Sequence, residues 1–150
     1  MKAYKVKLQM VKEKTIEYNA TIASPIDIVK FINSLENYDL SVNERVVVIA
    51  LNTKNHIVAY SEISAGNANT CNVHIPDVFR FLFTTNANKF ILIHNHPSGD
   101  STPSGIDIEM TKQIQKATDL MRVEFLDHIV IGDNNYTSIF EYMNKRQQKS

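Results

Sequence analysis

The segment from Arg45 to Leu51 constrains the fold more than any other part of this chain, because it is almost wholly β-branched or aliphatic. A run without alternating polar positions is typical of a strand that is buried on both faces of a sheet. Ile57 to Ile63 is expected to pair with it across the turn-forming residues 52–55, and Phe90 to Ile93 provides a second buried strand. Such strands need helices to cover them, so the sequence predicts an α/β fold with a mixed central sheet flanked by helices.

Helix signals occur at three places between these strands. Ser24-Pro25-Ile26-Asp27 combines a capping serine, a proline and an early acid, which predicts a helix that runs to about Leu35. Pro76-Asp77 opens a second helix, and a third is expected from Gly105 to about Met121. Val123 to Ile131 follows it as the last predicted strand.

The two ends of the chain have a different pattern from the centre. Residues 1–22 alternate apolar and charged side chains around a charged turn, which predicts a β-hairpin with one solvated face. One domain is then expected over residues 23–141, followed by a polar tail over residues 142–150 that frays at its end.

Length and composition fit a single domain in a reducing compartment. The chain has 150 residues, of which 43% are hydrophobic and 21% charged, as in ordinary folded domains. Sixteen basic residues balance sixteen acidic ones, so no net charge attracts nucleic acid. Cys71 has no partner for an internal disulfide, and the apolar runs are too short to span a membrane. With no signal-peptide pattern, we expect a cytoplasmic protein without a membrane partner; the sequence indicates no particular oligomeric state.

Two histidines follow the second buried strand where it ends. His94 and His96 are two residues apart, and on an extended chain such residues project to the same side. The carboxyl end of a buried strand is also where α/β sheets usually place their ligand sites. Both imidazoles are therefore expected to reach one metal ion.

A loop rich in turn formers, residues 97–103, then leads to Ser104 and Asp107 in the first turn of the next helix. The loop can return Asp107 to the histidines, and two imidazoles with one carboxylate are typical of a catalytic zinc site that leaves a position for water. The same ligands could hold ferrous iron instead. Ser104 and Asp107 could also form only a helix cap, because Ser24-Pro25-Ile26-Asp27 has the same spacing without histidines.

Taken together, these residues resemble the JAMM motif of the JAB/MPN metalloproteases, a resemblance carried by His94-Asn95-His96-Pro97-Ser98-Gly99-Asp100 and Pro103-Ser104-Gly105-Ile106-Asp107. More narrowly, the chain is similar to the RadC-like branch of that superfamily through Thr111, Leu126-Asp127-His128-Ile129-Val130-Ile131-Gly132 and Tyr136-Thr137-Ser138. The resemblance implies a single JAB/MPN-like domain and covers residues 40 to 140.

The resemblance also implies a role for each residue of the motif. It implies that His94, His96 and Asp107 bind Zn²⁺. It implies that Ser104 hydrogen-bonds around the reacting water or oxyanion. The implied function is that of a zinc-dependent metallohydrolase, a metallopeptidase or isopeptidase that cleaves an amide bond in a protein or peptide substrate.

In this family, a glutamate near the start of an upstream strand is the general base. Glu44, directly before the first buried strand, stands in that place. Glu62, on the neighbouring predicted strand, is the alternative.

Two other functions stay open. The RadC name is associated with DNA repair, which predicts action on or near nucleic acid, although the charge is balanced and no helix-hairpin-helix pattern is present. Some MPN relatives are non-catalytic interaction domains, although here every metal ligand is present. The chain also departs from the RadC pattern at residues 74–77, where an arginine is usual, so no substrate contact by that arginine is expected.

Overall fold

The structure is a computed structural model that describes residues 2–7, 9–18, 20–35, 42–66 and 73–148. The elements follow one another as α1 (Pro25–Leu35), β1 (Glu44–Leu51), β2 (Ile57–Gly66), α2 (Ile75–Thr84), β3 (Lys89–Asn95), α3 (Gly105–Met121), β4 (Glu124–Ile131), β5 (Tyr136–Ser138) and α4 (Ile139–Gln147). Among the helices of these described residues, none is both long and apolar enough to cross a membrane.

The strands of the described residues form one sheet in the order β2-β1-β3-β4-β5. β1 pairs antiparallel with β2 and β3, whereas β3 and β4 pair parallel and β5 runs antiparallel to β4. The three inner strands β1, β3 and β4 are buried along most of their length. The predicted α/β fold with a mixed central sheet is thus confirmed.

Helices cover both faces of the sheet, which explains why the inner strands are apolar without alternation. On one face, α1 packs into a core that contains Phe31, Ile32, Val47, Ile49, Ile93 and Ile129. On the other face, α2 and α3 pack into a second core that contains Leu82, Ile114, Val46, Val48, Phe90 and Leu92. Successive side chains of a strand point to opposite faces, so each inner strand supplies both cores.

Helix α3 connects the two parallel strands and therefore has to cross one face of the sheet. This crossover brings the first turn of α3 back to the carboxyl end of β3. The helix begins in a capping box, in which Ser104 Oγ accepts from the Asp107 amide and the Asp107 carboxylate accepts from the Ser104 amide. It ends at Arg122, whose φ of 55° is the left-handed conformation typical of helix ends.

The N-terminal hairpin predicted over residues 1–22 is not found in the described part of that range. The described residues between 2 and 18 form no strand, and the side chains of Tyr4 and Val6 are exposed. Thr21 makes a single antiparallel bridge with His56. Two strands without a third strand or a helix against them are marginal in water, which is the physical reason that alternation alone misled the prediction. Residues 1, 8 and 19 lie outside the described residues.

The polar tail predicted over residues 142–150 contains most of helix α4, which also extends past the predicted domain end at residue 141. Ser138 caps this helix by accepting a hydrogen bond from the Glu141 amide at 3.1 Å. An acidic first turn and a basic last turn stabilise the helix further. The cap at Ser138 was the sequence signal that the prediction overlooked; residues 149 and 150 lie outside the described residues.

Candidate metal centre

Four side chains from separate parts of the fold meet at the carboxyl end of β3. His94 lies near the end of β3, His96 follows the strand, Asp107 lies in the first turn of α3 and Glu44 begins β1. The atoms that each could offer to a metal all lie within 4.8 Å of one another. The structure therefore brings together the predicted zinc ligands and the residue predicted as general base.

The strand register explains how Glu44 reaches the histidines. Val46 lies opposite His94 in the antiparallel β1–β3 pair, so these two side chains point to the same face of the sheet. Glu44 is two residues before Val46 and shares that face. The alternative general base, Glu62, lies on the opposite face of the sheet from Glu44 and His94. There its Oε2 accepts a hydrogen bond from Arg45 Nε at 2.8 Å.

The two imidazoles face one another through their Nε2 atoms, which are 3.0 Å apart. The Asp107 carboxylate completes a triangle, with Oδ1 3.3 Å from Nε2 of His94 and Oδ2 3.4 Å from Nε2 of His96. Nδ1 of His96 donates to the main-chain oxygen of Asp100 at 2.8 Å. Since a carbonyl only accepts, this bond leaves the lone pair of His96 on Nε2, the atom that faces the site.

This donor set fits a divalent cation. Nitrogen lone pairs and a carboxylate converge on one point, where they would repel one another unless a positive charge lay between them. His94 and Asp107 are buried, so surrounding water screens that repulsion little. Two imidazoles and one carboxylate are ligands that zinc accepts, and three protein ligands are the number found in catalytic zinc sites.

The pKa values of the site agree with that chemistry. Burial by itself would raise the pKa of Asp107, but the imidazoles of His94 and His96, whose Nε2 atoms lie within 3.4 Å of its carboxylate oxygens, outweigh burial and hold that pKa well below its ordinary value. The hydrogen bond to Asp107 is the largest cause that raises the pKa of His96, against the effect of burial, and the charge of Glu44 adds to it.

The loop between the histidines and α3 is fixed against the β4–β5 turn. The main-chain oxygen of Gly99 accepts from the Asp133 amide at 2.8 Å, and Ser101 Oγ is 2.9 Å from Thr137 Oγ1. Gly132 makes room for this contact, because a Cβ at that position would lie 2.3 Å from the Gly99 oxygen. Such close packing returns the chain to the site with little freedom.

Asn95, between the two histidines, is fully buried, and alternation along β3 points its side chain to the opposite face from that of His94. Its Oδ1 accepts from the Arg45 amide at 2.9 Å, and its Nδ2 donates to the main-chain oxygen of Asn43 at 3.0 Å. These two main-chain groups flank Glu44. The motif spacing alone predicts no role for Asn95, and its buried amide shows that role because buried polar groups are nearly always hydrogen-bonded.

Two further residues lie behind His94. Nδ1 of His94 is 2.8 Å from Nε2 of His128, and Nδ1 of His128 is 2.7 Å from Thr111 Oγ1. Burial holds the pKa of His128 well below its ordinary value, so this imidazole is neutral. From the sequence, both residues entered through the family pattern.

Ser104 is exposed at the rim of the site. Its Oγ accepts from the Asp107 amide at 3.2 Å, so the helix cap that the sequence left as an alternative is present. The cap and the metal centre do not exclude one another. Asp107 accepts from the Ser104 amide with Oδ2, yet both of its carboxylate oxygens remain close to the histidines.

Comparison of the sequence with known proteins identifies a family and several relatives that match this chain. The sequence model of the RadC-like JAB domain family matches residues 22–146. A UPF0758 protein of Desulfitobacterium hafniense is 41% identical over 120 residues, which are 80% of this chain and 52% of that protein. A UPF0758 protein of Bacillus cereus is 38% identical over 143 residues, which are 94% of this chain and 61% of that protein.

The chain spans about half the length of most of the curated relatives it matches, including a UPF0758 protein of Caldanaerobacter subterraneus, of which it covers 52% at 39% identity. The matched region contains the whole sheet together with the histidine and aspartate cluster. The resemblance inferred from the motif is confirmed, and the chain belongs to the RadC-like JAB domain family.

Proposed function

We propose that this protein is a zinc-dependent hydrolase that cleaves an amide or isopeptide bond in a protein or peptide. One observation carries the proposal: the ligand-type atoms of His94, His96 and Asp107 converge on one point beside the carboxylate of Glu44. The JAB/MPN superfamily, to which the RadC-like JAB domain belongs, includes metallohydrolases.

His94, His96 and Asp107 would hold the ion. Three protein ligands are the number found in catalytic zinc sites, whereas structural sites are usually closed by four. When bound, zinc lowers the pKa of a coordinated water and polarises a substrate carbonyl.

Glu44 would act as general base and then as general acid. It is half-buried and shares the face of His94, so its carboxylate can accept a proton from a water at the site and pass it to the leaving amine. Its main chain is fixed on both sides by Asn95, which keeps the carboxylate in place without using its oxygens.

Ser104 would stabilise the oxyanion that forms on the substrate. Its oxygen accepts in the helix cap, so the hydroxyl hydrogen is available to donate outward from the exposed rim. A donor placed where negative charge develops is typically worth about 10²- to 10³-fold in rate.

The test combines metal analysis with cleavage of a defined peptide library. Wild-type protein, reconstituted with zinc, should bind one equivalent and should release cleaved products that mass spectrometry detects. Glu44→Gln should keep the zinc and lose cleavage, whereas Glu62→Gln should keep both, because Glu62 lies on the opposite face.

His94→Ala should lose the zinc. His74→Ala is its matched control, since His74 is exposed and lies outside the cluster. Zinc binding without any cleavage by the wild-type protein would contradict peptide hydrolysis and favour a non-catalytic interaction domain. A large loss of zinc affinity in Glu44→Gln would make Glu44 a ligand rather than the base.

A further inference from the structure

We propose that Thr111 and His128 set the tautomer of His94, so that the free lone pair of its imidazole faces the metal site. Both act as positioning residues, since neither belongs to the ligand cluster. The inference rests on the metal-binding part of the proposed function and does not depend on hydrolysis.

The direction of the hydrogen bonds is fixed at one end by a main-chain carbonyl. Thr111 Oγ1 lies 2.6 Å from the main-chain oxygen of Asp107. A carbonyl can only accept, so the Thr111 hydroxyl must be the donor. With its one hydrogen used in this way, the Thr111 oxygen must accept from Nδ1 of His128 at 2.7 Å.

The hydrogen bonds continue in the same direction from His128 to His94 at the metal site. His128 is fully buried and its ring nitrogens contact the Thr111 hydroxyl and His94 rather than a carboxylate, so its imidazole is neutral and has a single N–H. A hydrogen on Nδ1 of His128 therefore leaves a lone pair on its Nε2. That atom accepts from Nδ1 of His94 at 2.8 Å. Nε2 of His94 then has no hydrogen and offers its lone pair beside His96 and Asp107.

The opposite direction does not fit the geometry. It would leave the oxygens of Thr111 and Asp107 2.6 Å apart without a hydrogen between them. It would also turn an N–H of His94 into the site, where a metal ion needs a lone pair. A metal-bound histidine commonly has its second nitrogen held in this way, and loss of such a partner typically lowers metal affinity about 10- to 100-fold.

Helix α3 contains a matched control for Thr111. A threonine hydroxyl often donates to a carbonyl one turn earlier in a helix, and Thr118 does so to Gln115 at 2.8 Å. Thr118 is buried like Thr111, but the imidazole of His128 faces Thr111. Changing either threonine to valine therefore removes a similar hydrogen bond within the helix. The change at Thr111 also removes a hydrogen-bond partner of His128, whereas the change at Thr118 does not.

The experiment measures the tautomer and the metal affinity of the whole chain. Nitrogen-15 NMR of the metal-free wild-type protein at alkaline pH should show His94 protonated on Nδ1. Thr111→Val should give a mixture of tautomers and about 10- to 100-fold weaker zinc binding in competition with a chelator. Thr118→Val should retain the tautomer and the affinity, and Thr111→Ser should restore both.

A His94 protonated on Nε2 in the wild-type protein would overturn the inference. Equal zinc affinities for Thr111→Val and Thr118→Val would overturn it as well. Neither result depends on cleavage, so failure of this inference and failure of the proposed hydrolysis can be told apart.

Discussion

The side chain of Asn95 accepts a hydrogen bond from the main-chain amide of Arg45 at 2.9 Å, which joins two strands just beyond their paired ends. One of these strands carries the histidines and the other carries Glu44. A residue of the motif that lies outside the candidate ligand cluster thus connects the candidate metal ligands to the proposed base.

Asn95→Ala should destabilise the fold. It removes two part-buried hydrogen bonds, one from the Arg45 amide and one to the Asn43 carbonyl, and each such bond contributes about 0.5–1.5 kcal/mol. Urea unfolding measures the loss, and hydrogen exchange of the Arg45 amide should become faster. Asn52→Ala is the control, because Asn52 also accepts from main-chain amides but in an exposed turn where water can replace it. Equal losses in the two variants would contradict the role of Asn95.

Gly132→Ala should displace the loop that leads to α3. The added Cβ would lie 2.3 Å from the Gly99 oxygen and 2.8 Å from the Ser101 amide, both of which belong to main chain. Such overpacking typically costs about 1–3 kcal/mol. Gly105→Ala is the control, since a Cβ there meets nothing within 4 Å. The unfolding temperature and the zinc affinity should both fall in Gly132→Ala and stay unchanged in Gly105→Ala. An unchanged unfolding temperature in Gly132→Ala would mean that the turn can move.

Ser104→Ala should show two separate effects. Loss of the cap acceptor should cost about 0.5–2 kcal/mol of stability. If the hydroxyl also stabilises the oxyanion, peptide cleavage should fall about 10²- to 10³-fold with zinc affinity retained. Ser24→Ala tests the equivalent position at the start of α1, which covers the other face of the sheet and where the hydroxyl donates to Asp27. A similar rate for the two variants would restrict Ser104 to the cap.

Zinc should stabilise the protein more as the pH rises. The pKa of His96 is raised in the metal-free fold, chiefly by its hydrogen bond to Asp107. A proton on His96 therefore stabilises that fold at low pH, and this contribution is lost as the pH rises through the raised pKa. Zinc must displace the proton, so the zinc-induced increase in Tm should be small near pH 5.5 and larger near pH 8, on either side of the ordinary histidine pKa of about 6.5.

Thermal unfolding of zinc-loaded and chelator-treated protein across this range provides the measurement. A zinc-induced shift that does not change with pH would contradict competition at His96. His74→Ala, outside the cluster, should leave the pH dependence as it is.

The sequence predicted the central fold well because its signals there are local and strong. The uninterrupted apolar run before Leu51 can be satisfied only by burial on both faces, and the helix beginning at Gly105 has its cap within four residues. At the N-terminus the alternation around Tyr4 was equally clear, yet no strand or helix within the described part of the chain covers it. A local sequence pattern cannot show whether another part of the chain packs against the segment.

The candidate site, likewise, was predictable from the sequence only in part. His94, His96 and Asp107 lie within one short segment, so spacing alone could suggest that they converge. The partners of these residues come from distant parts of the chain. His128 meets His94 only because β4 lies parallel to β3, and this register cannot be read from either segment alone.

The alignment of β1 against β3 has a consequence for molecules that misfold. Successive side chains of β1 alternate between faces, so a slip by one position that placed Val47 opposite His94 would move Arg45 into the place of Glu44. A guanidinium there would repel a divalent cation and could not take up a proton. A misaligned molecule would thus keep much of its hydrophobic burial and still be chemically inert. Metal uptake would therefore report correct strand alignment more sensitively than a measurement of compactness.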